Sequence, residues 1–235
     1  MRKILIVGLM LIASGNVYSE NKLSTSEVNT LNQYIYDSTV KENFIKLNRV
    51  TRKGSLVSCE LEFQNTYRDN RELKDGVMRT VFSVGSFSIN YTPENHMIGA
   101  LLKVIPSVID IKTQQWEKLY PPYLDIFINE ESLEKYKIGE IKGEIGGKLI
   151  AYGDKQGGSE MLKSILKSLP LPFDGEIKLS LIKDGMDTGY KLSSLTTNEN
   201  WVNESDKFTK CNFDLLDILL TGLDKLSVEE KKTAK

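Results

Sequence analysis

A single histidine, His96, in a chain of 235 residues removes whole classes of chemistry at the outset. A histidine-rich metal centre and a pair of catalytic imidazoles both need more than one. Cysteine is nearly as scarce: with only Cys59 and Cys211, no cysteine zinc cluster can form. Neither sign of charge predominates, since 31 Lys and Arg meet 32 Asp and Glu for a net charge of −1. The basic footprint that nucleic acid or anionic lipid demands is therefore missing. Long apolar runs are also missing beyond the first 20 residues. The longest, MIGALLKVIPSVIDI, is broken by Lys103 and Pro106, so no stable membrane insertion is expected of the mature chain.

What is present begins with an export signal. MRKILIVGLMLIASGNVYSE carries Arg2 and Lys3, an apolar run from Ile4 to Ala13, and small residues ahead of a cleavage point after Ser19. That run has about 10 residues, half of the roughly 20 that a membrane helix needs. Residues 1–19 therefore read as a signal peptide and Glu20 as the start of a periplasmic or secreted chain. No cysteine follows the cleavage point, so a lipoprotein anchor is not expected. Loss of Arg2 and Lys3 moves the net charge from −1 to −3. Apolar residues at 40% and charged ones at 27% are ordinary proportions, which predicts a packed core rather than disorder. The length fits one exported domain over residues 20–226, followed by a charged, flexible tail at 227–235.

Periodicity predicts an α+β domain dominated by antiparallel strands, as a sheet or sandwich, with a helix at each end. Ser24 and Glu27 form a capping-box pattern ahead of Val28, Leu31 and Ile35, which share one face of an amphipathic helix. In LVSCELEF, Val57, Cys59, Leu61 and Phe63 alternate with polar residues and point to a core. Further extended runs are GVMRTVFSVGSFSINY, HMIGALLKVIPSVIDI and PPYLDIFI, with Pro106 marking an edge or a bulge. Glycines crowd residues 138–158 around the short strand KLIAY and predict tight turns or a mobile loop. Ser159 to Leu169 reads as a short helix, and GEIKLSLIKDGMDTGYKLSSL as a hairpin turning at Asp184-Gly185. The last helix places Phe208, Cys211, Leu215 and Ile218 on one face, with Gly222 as its stop.

Both cysteines thus face the interior of an exported protein, and a Cys59–Cys211 disulfide is the simplest expectation. The alternatives are a buried pair of free thiols or a reactive cysteine. A bridge closing so long a loop contributes up to ~5 kcal/mol in the chain-entropy model. The strand–strand–helix–cysteine order ending at Cys211 resembles that of exported invasion-associated bacterial proteins of the locus B type. This resemblance spans about the last quarter of the chain, lacks that family's further cysteines, and implies no site residue.

No catalytic set emerges. Asp187-Thr188-Gly189 matches the tripeptide of aspartic proteases, but those enzymes need two such loops and this chain has one, within a polar hairpin. Serine-lysine spacings at Ser132 to Lys135 and Ser164 to Lys167 lack their companion motifs. KGEIGGKL fails as a phosphate loop, because Lys142 stands at the leading glycine position and Leu149 where Ser or Thr should follow Lys148. Glu60 and Glu62 lie about 6.6 Å apart along one strand face, a glycosidase-like separation, but they point the same way and read as a solvated face. His96 sits in a turn, where a surface or structural role is expected. Trp116, Tyr120 and Tyr123 bracket Pro121-Pro122, either as a partner surface or as packing around a turn. The expectation is a non-enzymatic exported protein, without catalytic, metal or cofactor residues, that binds another envelope protein as an inhibitor or immunity factor. A hydrolase of envelope polymers and a carrier of an apolar ligand are the alternatives. Sequons at Asn90 and Asn203 matter only in a host that glycosylates exported chains.

Overall fold

The computed structural model describes residues 23–69, 79–93, 97–110, 115–118, 123–142, 147–153, 159–168, 176–183, 186–187 and 189–233. The alternating runs of the first half form a meander of four strands: β1 (Phe44–Arg52), β2 (Ser55–Asp69), β3 (Arg79–Thr92) and β4 (Met97–Asp110). β5 (Gln115–Lys118) folds back on β4, after which the chain leaves for a second sheet through β6 (Tyr123–Ile128) and β7 (Glu131–Ser132). It returns as β8 (Lys137–Lys142) and β9 (Lys148–Tyr152), and β9 pairs with β4. Sheet one therefore has the order β1-β2-β3-β4-β9-β8, with β5 also on β4. Sheet two joins β6 and β7 to β10 (Ile177–Lys183), β11 (Met186–Asp187) and β12 (Tyr190–Lys191). Every pairing described is antiparallel. Three α-helices complete the described fold: α1 (Thr25–Thr39), α2 (Ser159–Ser168) and α3 (Asn198–Thr233).

One face of sheet one supplies half of the core. Leu61 lies opposite Phe87, Phe87 opposite Leu102, and Leu102 opposite Ile150, all fully buried. Burial of each such side chain contributes about 1.5–3 kcal/mol. Gly85 pairs with Phe63, whose ring lies where a Cβ at residue 85 would stand, 2.6 Å from Cζ. That missing side chain lets the large ring fold back over the strand. Leu124, Ile126, Leu179 and Leu181 of sheet two join the same core, as do Met161, Leu162 and Ile165 of α2. Tyr190 ties the sheets together, stacking edge-on against Phe63 and donating its hydroxyl to Ser83 Oγ at 3.2 Å.

The C-terminal helix closes the inner face over β1 and β2. Cys59 on β2 and Cys211 on α3 form the expected disulfide, with Cα atoms 5.9 Å apart and 152 residues between them in sequence. Glu204 of α3 accepts the amide N–H of Leu47 at 2.7 Å, satisfying a donor on the edge strand β1. Exposed edge donors otherwise invite pairing with another chain. Burial pushes the Glu204 carboxyl up, but hydrogen bonds from Lys207 and the Leu47 amide outweigh it and hold the group below its ordinary value. Arg49 reaches Asp214 at 2.8 Å beside this contact.

Several elements differ from expectation, each for a local reason. α3 does not stop at Gly222 but runs to Thr233, through most of the segment read as a charged tail. One glycine costs a helix about 1 kcal/mol, too little to end it without a capping arrangement. On α1 the capping box forms as expected, with Glu27 Oε2 accepting the Ser24 amide at 2.8 Å, yet Leu31 is exposed and Asn32 is buried. On that buried side of the helix the Asn32 backbone carbonyl accepts the Thr80 hydroxyl at 2.9 Å. β4 is a central strand despite Pro106. Its pairing with β9 ends at Val104 and that with β5 begins at Ser107, so Pro106 falls in the gap where no ladder hydrogen bond is required. β8, within the glycine-rich segment, was not expected as a strand.

Candidate functional site

The opposite face of sheet one is the one extended surface of the described strands that α3 and sheet two leave open. α1 covers only one end of it, around Thr80 and Arg68. Strand register lays out the remaining side chains in rows. One row reads Asn48, Glu60, Ser88, Leu101 and Ala151 across β1, β2, β3, β4 and β9. The next reads Lys46, Glu62, Ser86, Lys103, Leu149 and Ile141, ending on β8.

These rows divide the face chemically. On β1 and β2 it is polar, and Asn48 donates to Glu62 at 2.9 Å. On β4, β9 and β8 it is apolar around Lys103, with Leu101 38% and Ile141 61% exposed. Between the halves Ser58, Ser86 and Ser88 keep the surface low, and a groove of about 470 Å³ opens there. Glu60 lines one side of the groove and Leu101, Lys103 and Leu149 the other. Among the described residues neither the Glu60 nor the Lys103 side chain forms an ion pair or hydrogen bond. Two unpaired charges of opposite sign beside the exposed Leu101 and Ile141 provide the ingredients of a protein-binding surface: apolar area for affinity and charge for orientation.

A second polar cluster has a different character. Asp125 on β6 is fully buried and accepts hydrogen bonds from Tyr123 and Tyr152 hydroxyls, both at 3.2 Å, from the Ile126 amide at 2.8 Å, and from the Ser132 hydroxyl. A carboxylate offers about four lone-pair sites, so four donors leave it nothing for a substrate. Tyr152 belongs to sheet one and Asp125 to sheet two, so the cluster cross-links the sheets. Burial and then the Asp125 charge push the Tyr152 hydroxyl well above its ordinary value, and the same causes raise Tyr123 to about 12. Both tyrosines stay protonated donors at neutral pH.

The residues singled out in the sequence fall as follows. Cys59 and Cys211 are bonded and buried. Trp116 lies in β5 opposite Ile109, Tyr123 is half-buried with its hydroxyl on Asp125, and Tyr120 lies outside the described residues, as does His96. Asp187 accepts the Gly189 amide at 2.7 Å and Lys178 at 2.8 Å, bracing its hairpin. A Cβ at Gly189 would meet the Leu179 carbonyl oxygen at 2.0 Å, so the glycine of this tripeptide is required by close strand approach. Ser132 is engaged by Asp125, and Lys135 lies 3.9 Å from Glu131. Glu60 and Glu62 do share an outward face, beside which, on β3, β4 and β9, the sequence reading missed Ser86, Ser88, Leu101, Lys103 and Leu149. The alternation Ser86, Ser88, Asn90 within a β-rich run was the available signal, and a lone Asp125 in YLDIFI was the signal for the buried cluster.

Among the described residues no group of three or more His, Cys, Asp or Glu is placed to hold a metal ion, and no helix is long and apolar enough to cross a membrane. No family model matches the chain, and no curated protein or solved structure matches it either.

Proposed function

We propose that this chain is an exported, non-enzymatic protein that works by binding another protein of the envelope, as an inhibitor or immunity factor, through the open face of sheet one. One observation carries the reading: a groove that no described element covers and that joins unpaired Glu60 and Lys103 to the exposed Leu101 on one sheet. Recognition surfaces on strands hold their geometry better than surfaces on loops. The N-terminal sequence supports the route, since Arg2, Lys3 and the apolar run after them have the form of an export signal. The saturation of Asp125 weighs against a hydrolase built on that carboxylate, and the open groove weighs against a carrier, which needs a closed, dry cavity.

The test is affinity capture from envelope extract with mature wild-type protein and with Lys103→Glu, read by mass spectrometry. A stoichiometric protein retained by the wild type and lost by the variant supports the reading. Equal retention by both moves the binding surface elsewhere. Export is checked by N-terminal sequencing of the chain from the periplasmic or secreted fraction, where a start at Glu20 is expected.

A further inference from the structure

We propose that the open face of sheet one docks a second copy of this chain, about a two-fold axis that lies in the plane between the two facing sheets. The proposal rests on the reading of that face as a protein-binding surface: in the free protein a second copy occupies it weakly, and an envelope partner displaces that copy. A two-fold interface is self-complementary, so every residue must suit whatever its symmetry mate presents. The registered rows allow that condition to be examined.

Glu60 on β2 and Lys103 on β4 lie two strands and one row apart across β3. With strands about 4.8 Å apart and a two-residue rise of roughly 6.7 Å, their Cα atoms are separated by ~12 Å. An axis perpendicular to that line at its midpoint passes above β3 between Ser86 and Ser88. Rotation about it sets Lys103 of each copy over Glu60 of the other, so both unpaired charges are matched at once. The same rotation brings Leu101 over Ser88, Leu149 towards Ser58, and Ile141 towards Val50. Large apolar side chains thereby meet the low serine floor, and Ile141, 61% exposed, meets Val50, 42% exposed. A net charge of −3 on the mature chain, −1 less the two charges of Arg2 and Lys3, imposes little repulsion between copies. The footprint is roughly 500 Å² on each copy, at the low end of specific interfaces, which corresponds to micromolar rather than nanomolar affinity.

Sedimentation equilibrium on the mature, disulfide-bonded chain over a wide concentration range tests this directly. The wild type is expected to double its mass reversibly. Lys103→Glu and Glu60→Lys, each giving like charges across the interface, weaken that association by roughly tenfold or more. An equimolar mixture of the two variants restores it, because each then meets the opposite charge. Thermal midpoints of both variants within a degree or two of wild type show that folding is intact, and the restored mixture shows the same independently. A chain that stays monomeric throughout overturns the second-copy proposal, as does a dimer indifferent to both charges and to mixing. If a monomeric chain still captures an envelope protein through Lys103, the face remains the binding surface and only its occupant was misassigned. If capture is also indifferent to Lys103, both readings fall.

Discussion

Leu101 and Leu102 are consecutive on β4, yet the first is 38% exposed and the second fully buried. The difference is the period-two alternation of a strand, and it assigns the two faces of sheet one to two tasks. The inner face is apolar and clamped, with α3 bonded to it through Cys59 and Cys211 and hydrogen-bonded to its edge through Glu204. The outer face carries low serines, unpaired charges and the exposed Leu101 and Ile141. Stability comes from one side of these strands, and recognition is proposed for the other, so substitutions on the two sides should separate cleanly.

The largest effect belongs to the clamp. Replacing both cysteines by serine should cost up to about 5 kcal/mol, seen as a lower urea midpoint and as faster amide exchange along α3. An unchanged midpoint would mean that α3 holds to the sheet without its covalent link. Next is Leu102→Ala, expected to cost about 3 kcal/mol by transfer and cavity terms together. Glu204→Gln should cost about 1 kcal/mol at neutral pH. The Glu204 pKa is depressed on folding, so its contribution is full above the ordinary glutamate range and is lost as pH falls through the depressed folded value. The gap between wild type and Glu204→Gln in chemical denaturation should therefore close in acid; a gap that widens there would reverse the assignment. A smaller effect of opposite sign is expected on α3, where both polar atoms of the Asn212 side chain are buried without a hydrogen-bond partner among the described residues. Asn212→Leu should raise the thermal midpoint, by the equivalent of roughly 1 kcal/mol.

Elements whose pattern was local were legible in the sequence. Alternation at Cys59, Leu61 and Phe63 and helical spacing at Phe208, Cys211 and Leu215 led to the disulfide, and Ser24 with Glu27 led to the start of α1. Features set by distant contacts were not. Asn32 is buried in place of Leu31 on the side of α1 that meets Thr80, 48 residues away. Pro106 sits in a central strand because β5 and β9 share one side of β4, which no local pattern encodes. The groove was illegible for the same reason: its floor and walls come from five strands, and only the register of all five sets Glu60, Ser88 and Leu101 side by side. Asp187-Thr188-Gly189 shows the converse, since its polar context was enough to favour a hairpin over a catalytic loop.

The most direct test of a division between the faces is Leu101→Asp, measured for both stability and capture of a partner from envelope extract. The account predicts a thermal midpoint close to wild type, a stability change within about 0.5 kcal/mol, and loss of the captured protein. A strongly destabilised variant, or one that is stable and still retains its partner, would contradict it.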